Sequence, residues 1–348
     1  MSQGATQIRT PLCDLLGIEY PILSVGFADG ARAELVSAVS NAGAFGVLGA
    51  SGDEPDFIRA EAERARALTD RPFGFNLVIA AQEDWAKEKG YQEGFAAYVL
   101  AMIAAASGSA TAVVFFWGDP APYVKPAHDA GVKVLIQVGS AEEAEAAAEA
   151  GVDAVIAQGI EAGGHVRGTT SVWELLPATV ARVAPLPVLA SGGIGDGAGL
   201  ARALGLGAAG VSLGTRFVAS DEANVHIDYK RRIVAATAAD TVYTPDLYDV
   251  WWAGAPHRTL RNKTYEEWEA AGRPPSGQRP GEGEPIGRYH LSSGGVVEWP
   301  RYAVGMANSD FEGDVEYAPL WAGESCSVVN EIKPAAEIVA DLVREAGG

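Results

Sequence analysis

The 348-residue chain has only two cysteines, Cys13 and Cys326, far apart and in no metal-ligand spacing. That usage fits a reducing, cytoplasmic compartment. Positive charge is also scarce. Lys and Arg total 26 against 45 Asp and Glu, a formal net charge of -19. Such a balance argues against nucleic acid, whose phosphates need a basic footprint, and against an anionic membrane surface. The acidity reads as solubility, so an anionic ligand would need a local positive feature. No apolar run is long enough to span a bilayer, and residues 1–16 lack the basic-then-apolar pattern of a signal peptide. No pair of the five histidines has metal-site spacing, so no catalytic metal is expected. G-x-S-x-G, Walker A and a paired Asp/Glu cluster are missing. The glycines of 192–197 are no dinucleotide fingerprint, because no acidic residue at the end of a following strand completes them.

What the chain has is apolar material, 48% of it, enough for a sizeable core. Short apolar runs alternate with helical periodicity. Strands are expected at 21–26, 45–49, 73–78, 111–117, 132–138, 152–157, 187–191 and 209–215. Helices are expected at 29–41, 55–68, 94–106, 122–130, 140–151, 172–183, 198–206 and 221–236. Pro55 suits a first helical turn, and Ser140 with Glu143 matches a capping box. Runs that are apolar throughout suit parallel strands covered on both faces. Eight βα units over about 215 residues suit a (β/α)8 TIM barrel better than an open sheet. Residues 1–20 read as a lead-in and 1–239 as the barrel. Residues 240–330, rich in Trp, Tyr, Pro and Gly, read as a substrate-side subdomain or lid. Residues 331–348 carry a docking helix at about 332–343.

Barrel chemistry sits at the C-terminal strand ends. Gly26, Asn76, Gln137, Gln158, Gly192 and Gly214 fall there. Ser191-Gly192-Gly193-Ile194-Gly195 and Ser212-Leu213-Gly214-Thr215 follow strands seven and eight, where barrels often hold phosphate on backbone N–H groups and a helix N-terminus. The Thr215 hydroxyl could add a bond. These loops have no Lys or Arg, which suits a phosphate belonging to a larger, otherwise held cofactor. Around Gln158-Gly159-Ile160-Glu161-Ala162-Gly163-Gly164-His165, Gln158 offers an amide to a heterocycle edge. Gly163 and Gly164 leave room for a flat ring, and His165 would stand beside it as acid, base or electrostatic partner. Asn76 is polar inside an apolar strand; it bonds either neighbouring backbone or a ligand.

These residues resemble the signature of the nitronate monooxygenase family, FMN-binding TIM barrels. The central motif runs from Ala157 to His165. Around it stand Pro21-Ile22-Leu23, Gly74-Phe75-Asn76-Leu77, Leu189 to Ile194, Leu213 to Phe217, and Trp321-Ala322-Gly323-Glu324. The resemblance implies that Asn76, Gln158, Gly163, Gly164, Gly192, Gly193, Ser212, Leu213, Gly214 and Thr215 contact FMN. Val25 and Gly26 would form part of the flavin's floor. It makes His165 the catalytic residue, acting as base on a neutral nitroalkane or orienting an anionic nitronate. The implied reaction takes nitronate and O2 to a carbonyl compound and nitrite. Two departures bear on substrate. Val25-Gly26-Phe27 stands where the family often has Ala-Pro-Met, and Glu324 where Gln is common. A close rival is an NAD(P)H-dependent FMN reductase of enoyl thioesters or quinones, and a third reading is a phospholigand barrel without redox activity. A homodimer is compatible with the sequence.

Overall fold

The computed structural model describes residues 8–80, 83–92, 94–290 and 294–347. Parts of the expected lead-in, of the wetter insertion after the third strand and of the C-terminal region therefore lie outside the described residues. Among those described, eight parallel strands form one sheet. They are β1 (Ile22–Ser24), β2 (Gly46–Gly49), β3 (Phe73–Val78), β4 (Ala112–Phe116), β5 (Lys133–Val138), β6 (Ala154–Gln158), β8 (Val188–Ser191) and β9 (Gly210–Leu213). A two-residue strand, β7 (Gly164–His165), interrupts the series outside the barrel. The sheet runs β1-β9-β8-β6-β5-β4-β3-β2. A parallel bridge between Leu23 and Phe45 brings its ends together, with Phe45 N donating to Ile22 O at 2.9 Å. The chain is therefore a (β/α)8 barrel.

The strands explain why the runs look uniformly apolar. Side chains alternate across a strand, and here both sides are apolar for different reasons. Val113, Phe115, Val134, Ile136, Val155, Ala157 and Val211 face the helix layer. Leu23, Phe45, Val47, Val114, Leu135, Ala154, Ile156 and Leu189 fill the barrel interior. Moving up the inward positions, the residue type changes. Leu135 is followed by Gln137, Ala154 and Ile156 by Gln158, Leu189 by Ser191, and Gly210 by Ser212. The barrel is packed with hydrocarbon below and lined with amides and hydroxyls at the top.

The helices are α1 (Pro11–Leu16), α2 (Ala33–Asn41), α3 (Pro55–Leu68), α4 (Glu83–Glu88), α5 (Phe95–Ala106), α6 (Ala121–Asp129), α7 (Ala141–Glu149), α8 (Val172–Val183), α9 (Gly197–Gly205), α10 (Thr215–Val218), α11 (Ile227–Ala235), α12 (Lys263–Ala270) and α13 (Ala335–Ala346). The Ser140 hydroxyl accepts from Glu143 N, as its spacing predicts, while the Glu143 carboxylate turns to Gly139 N instead. Three expectations need correction. Residues 1–20 are more than a lead-in: α1 inserts Leu12, Cys13 and Leu16 into the bottom of the barrel. The helix expected from residue 221 starts at Ile227. Thr215 begins the short helix α10 rather than ending a strand.

Beyond the barrel, β10 (Thr241–Thr244) and β11 (His257–Leu260) form an antiparallel pair, and β11 pairs in turn with β7. Strands β12 (Pro285–His290), β13 (Val296–Pro300) and β14 (Glu312–Gly313) make a second small sheet. Its Tyr289 hydroxyl donates to Asp29 beside the barrel top. The last helix, α13, packs on α9 and α2.

Candidate active site

A cavity of about 360 Å³ opens at the C-terminal ends of the barrel strands. That is within the range of small-molecule and cofactor sites, roughly 300–1,000 Å³. Its floor is the upper barrel interior, Leu23, Val47, Val114 and Ile156, with Asn76, Gln137, Gln158, Ser191 and Ser212 above. Val25, Gly26, Gly163, Gly164, His165, Gly192, Gly193, Gly214 and Thr215 also line it. Leu213 does not; its side chain is buried in the helix-side core. Among the described lining residues there is no Asp, Glu, Lys or Arg, and His165 is the one imidazole.

Gln158, Asn76 and Thr215 already have work in the scaffold. Gln158 Nε2 donates to His165 O at 2.9 Å, and Arg167 N donates to Gln158 Oε1 at 2.9 Å. One amide thus clasps both ends of the turn that presents His165, leaving its second N–H for a ligand. Asn76 Nδ2 donates to Val114 O at 3.0 Å, the backbone alternative allowed by the sequence. Gly323 N donates to the Thr215 hydroxyl at 3.0 Å, which still has its own proton to give.

The glycines divide into two kinds. A Cβ on Gly163 would lie 2.3 Å from Gly323 N, so this glycine makes room for chain rather than for a ligand. A Cβ on Gly26 would meet Leu48 O at 2.6 Å. By contrast, a Cβ on Gly164 would meet nothing within 4 Å, and one on Gly214 would approach only Val25, at 3.8 Å. Both would project into open space at the cavity. Gly192 and Gly193 have φ of 100° and 68°, left-handed values that only glycine adopts cheaply. This side-chain-free rim, without cations but rich in backbone, fits a phosphate-bearing cofactor held by N–H groups and by the helix ends at Gly197 and Thr215.

His165 sits among aromatic rings. Its ring centroid lies 4.1 Å from Trp252, 5.5 Å from Trp321, 5.9 Å from His257 and 6.3 Å from Trp117. Its Nε2 is buried and has no hydrogen-bond partner among the described residues. Burial, reinforced by the neighbouring His257, pushes its pKa down to about 3, so the ring is neutral at physiological pH. Trp117 reaches this cluster from a left-handed backbone, φ 61°, which for a bulky residue costs of order 1–3 kcal/mol.

Sequence reasoning singled out none of the C-terminal residues that reach the cavity as site residues. β11 places His257 opposite His165, a neighbour that no spacing in the sequence marks. The cavity roof comes from Trp252, Val304, Gly305, Met306 and Trp321, out of the region 240–330. Only the Trp density of the region signalled this. Arg167 is paired with Glu143 at 2.8 Å and lies over Trp117, so its charge is already engaged. Glu324, the residue in place of a common Gln, pairs with buried Arg258 at 3.2 Å.

A model of the family described as nitronate monooxygenase matches residues 9–345. The chain belongs to that family of FMN-dependent oxidoreductases. It is 32% identical to the nitronate monooxygenase of Paraburkholderia phytofirmans, over 97% of this chain and 95% of that one. It is 37% identical to the (3aS,4S,5R,7aS)-5-hydroxy-7a-methyl-1-oxo-octahydro-1H-indene-4-carboxyl-CoA dehydrogenase of Mycobacterium tuberculosis, over 77% of this chain and 70% of that one. Among solved structures, FabK from Thermotoga maritima superposes with a TM-score of 0.74 at 32% identity, covering 97% of this chain and 96% of that one. Among the described residues no helix is long and apolar enough to cross a membrane, and no cluster of His, Cys, Asp and Glu could hold a metal ion.

Proposed function

We propose that this chain binds FMN and oxidises alkyl nitronates with O2, releasing a carbonyl compound and nitrite. The observation that carries the reading is His165. It is a neutral imidazole with an unpartnered Nε2, at the edge of a cavity whose described lining has no charged side chain. Backbone N–H groups of Gly192, Gly193, Gly214 and Thr215 would hold the phosphate, and Gly164 and Gly214 would leave the space its body needs. The second N–H of Gln158 is available to a ring edge. When bound, FMN supplies the electron acceptor for the nitronate and the centre that reacts with oxygen.

The chain's own part is position and field. A nitronate is already deprotonated, so it needs a hydrogen-bond donor rather than a base. A neutral His165 with its proton on Nε2 supplies one at no cost in ionisation. As base towards a neutral nitroalkane the same ring is weak, because a conjugate acid of pKa about 3 gives little driving force near pH 7. The aromatic and aliphatic walls keep water from the donor and strengthen the bond it makes. Domain roles follow the same reading: residues 1–239 hold the cofactor, and 240–330 cover the substrate.

A second reading is favoured by the carboxyl-CoA dehydrogenase relative. In it the flavin exchanges electrons with a thioester or quinone, and NAD(P)H is the reductant. Anaerobic mixing of the FMN-loaded protein separates the two. Bleaching of the flavin by propane-2-nitronate but not by NADH is expected. Rapid bleaching by NADH alone would transfer the assignment to the reductase reading, and failure to take up FMN would sink both.

A further inference from the structure

His165 needs Nε2 to reach a substrate, yet that atom is sealed and unpartnered. Buried polar atoms are nearly always paired, so one of the rings around it stands where a ligand atom belongs. Trp321 is tied down at two points. Its Nε1 donates to Gly305 O at 2.6 Å, and its carbonyl accepts from the Tyr229 hydroxyl at 2.6 Å. Trp117 lies beneath the Arg167 guanidinium, 5.1 Å away, which Glu143 fixes in turn. Trp252 is held differently.

Trp252 belongs to the loop between β10 and β11. That loop is anchored as far as Val250, whose N donates to Tyr302 O at 3.2 Å and whose O accepts from Val304 N at 3.1 Å. It is anchored again from Ala255, whose carbonyl accepts from His257 Nδ1 at 3.0 Å. His257 Nε2 accepts from Tyr248 N at 3.1 Å, so one buried imidazole staples both sides of the tip. Between the anchors, residues 251–254 form a four-residue tip whose one backbone bond among the described residues is from Trp252 N to Asp249 O, at 3.1 Å. Trp251, Ala253 and Gly254 are exposed, and Trp252 alone is half-buried, against His165. Trp251 and Gly254 carry φ of 77° and 73°, so left-handed backbone flanks the inward residue on both sides. Trp251 is 63% exposed, which leaves this end of the tip without packing to resist movement.

We propose that Trp252 is the gate of this site: its indole closes over His165, swings out on the 251–254 tip to let a ligand reach Nε2, and thereby selects ligands by size. The access claim stands on geometry alone, and the size selection rests on the nitronate reading.

The test uses diethylpyrocarbonate, which acylates neutral imidazoles, with mass spectrometry of each histidine peptide at pH 7. His128, whose side chain is 40% exposed, is the internal control. In the wild type His165 should label far more slowly than His128. In Trp252→Ala it should label about tenfold faster or more, since a gate open 10% of the time or less slows access by that factor. Trp252→Phe should fall between them. Labelling of His165 that is already as fast as His128, or unchanged in Trp252→Ala, overturns the gate. Anaerobic calorimetry with ethylnitronate and cyclohexylnitronate reads the selection. The ratio of their dissociation constants should fall about tenfold in Trp252→Ala, and an unchanged ratio overturns selection by this residue. If neither variant binds any nitronate, the functional reading fails along with size selection, while the labelling still decides the gate.

Discussion

His165 and His257 face each other across the antiparallel ladder between β7 and β11, their rings 5.9 Å apart and nearly perpendicular. Neither can ionise comfortably. Burial lowers the pKa of both, His165 to about 3. His257 Nε2 already accepts from Tyr248 N, so a proton there would set two donors against each other. The unfolded chain, with histidines near 6.5, therefore takes up protons first as pH falls. The stability tied to neutral His165 is intact above about pH 6.5 and is lost progressively towards pH 3. By pH 5 its share of the loss is about 2 kcal/mol. Urea unfolding at pH 7 and pH 5 should show a smaller drop for His165→Asn than for the wild type. Equal drops would mean that His165 is protonated or solvated in the native state.

Catalysis should carry the same signature. A ring that stays neutral from pH 5 to 8 adds no inflection near 6.5 to kcat/KM for a preformed nitronate. His165→Asn should retain FMN and lose turnover of the nitronate, by up to about 10- to 150-fold for one hydrogen bond to a charged group, and should lose no more than that on a neutral nitroalkane, towards which the ring is a weak base. Oxygen uptake with each substrate across that pH range measures both effects. Near-wild-type rates on both would remove His165 from the mechanism.

The two kinds of glycine predict opposite failures. Gly214→Val places its side chain in the cavity with ordinary backbone, φ -97°, so folding should survive and FMN affinity should fall. Overpacking of about 1–3 kcal/mol corresponds to roughly 5- to 150-fold in the dissociation constant. Gly163→Ala instead drives a Cβ into the backbone of Gly323 and should lower the unfolding midpoint before any question of cofactor arises. Titration of FMN fluorescence alongside thermal melts separates the two. A folded Gly214→Val with unchanged FMN affinity would place the cofactor elsewhere.

How far the sequence carries depends on how local each signal is. The barrel was readable because every strand announces itself within a few residues and each is followed by its own helix. Helix α8 falls on its expected residues for that reason, bounded by the Ser171 cap, whose hydroxyl accepts from Trp173 N. The turn from Gln158 to His165 was readable as a unit too, since both residues sit in one short motif and the structure joins them by a hydrogen bond. The aromatic box was not. His257, Trp252 and Trp321 come to His165 through pairings of β11 with β7 and of Thr259 with Trp321, contacts between distant segments with no periodicity to mark them. The role of α1 as a plug is hidden similarly: its Leu12 matters only because it meets Gly210 at the far end of the barrel.

Glu324 offers a last test of how the added sheet grips the turn that presents His165. Arg258 is buried, and its Nε and Nη2 both donate to Ile160 O, at 3.2 and 2.9 Å. Its Nη1 donates to the Thr241 hydroxyl at 3.0 Å. The guanidinium thus ties the turn between β6 and β7 to the β10–β11 pair, and Glu324, with a side chain 39% exposed, offsets its charge. Removing the guanidinium breaks all of these contacts and leaves a buried carbonyl short of a partner, so Arg258→Ala should destabilise by about 3 kcal/mol or more. Glu324→Gln, which restores the side chain common in the family, keeps a hydrogen-bond acceptor beside Arg258 and gives up only a solvent-screened ion pair. It should cost no more than about 1 kcal/mol. Urea midpoints of the two variants check this. If Glu324→Gln costs as much as Arg258→Ala, the carboxylate rather than the Ile160 carbonyl is what holds Arg258, and the Glu at this position is a structural requirement of this chain.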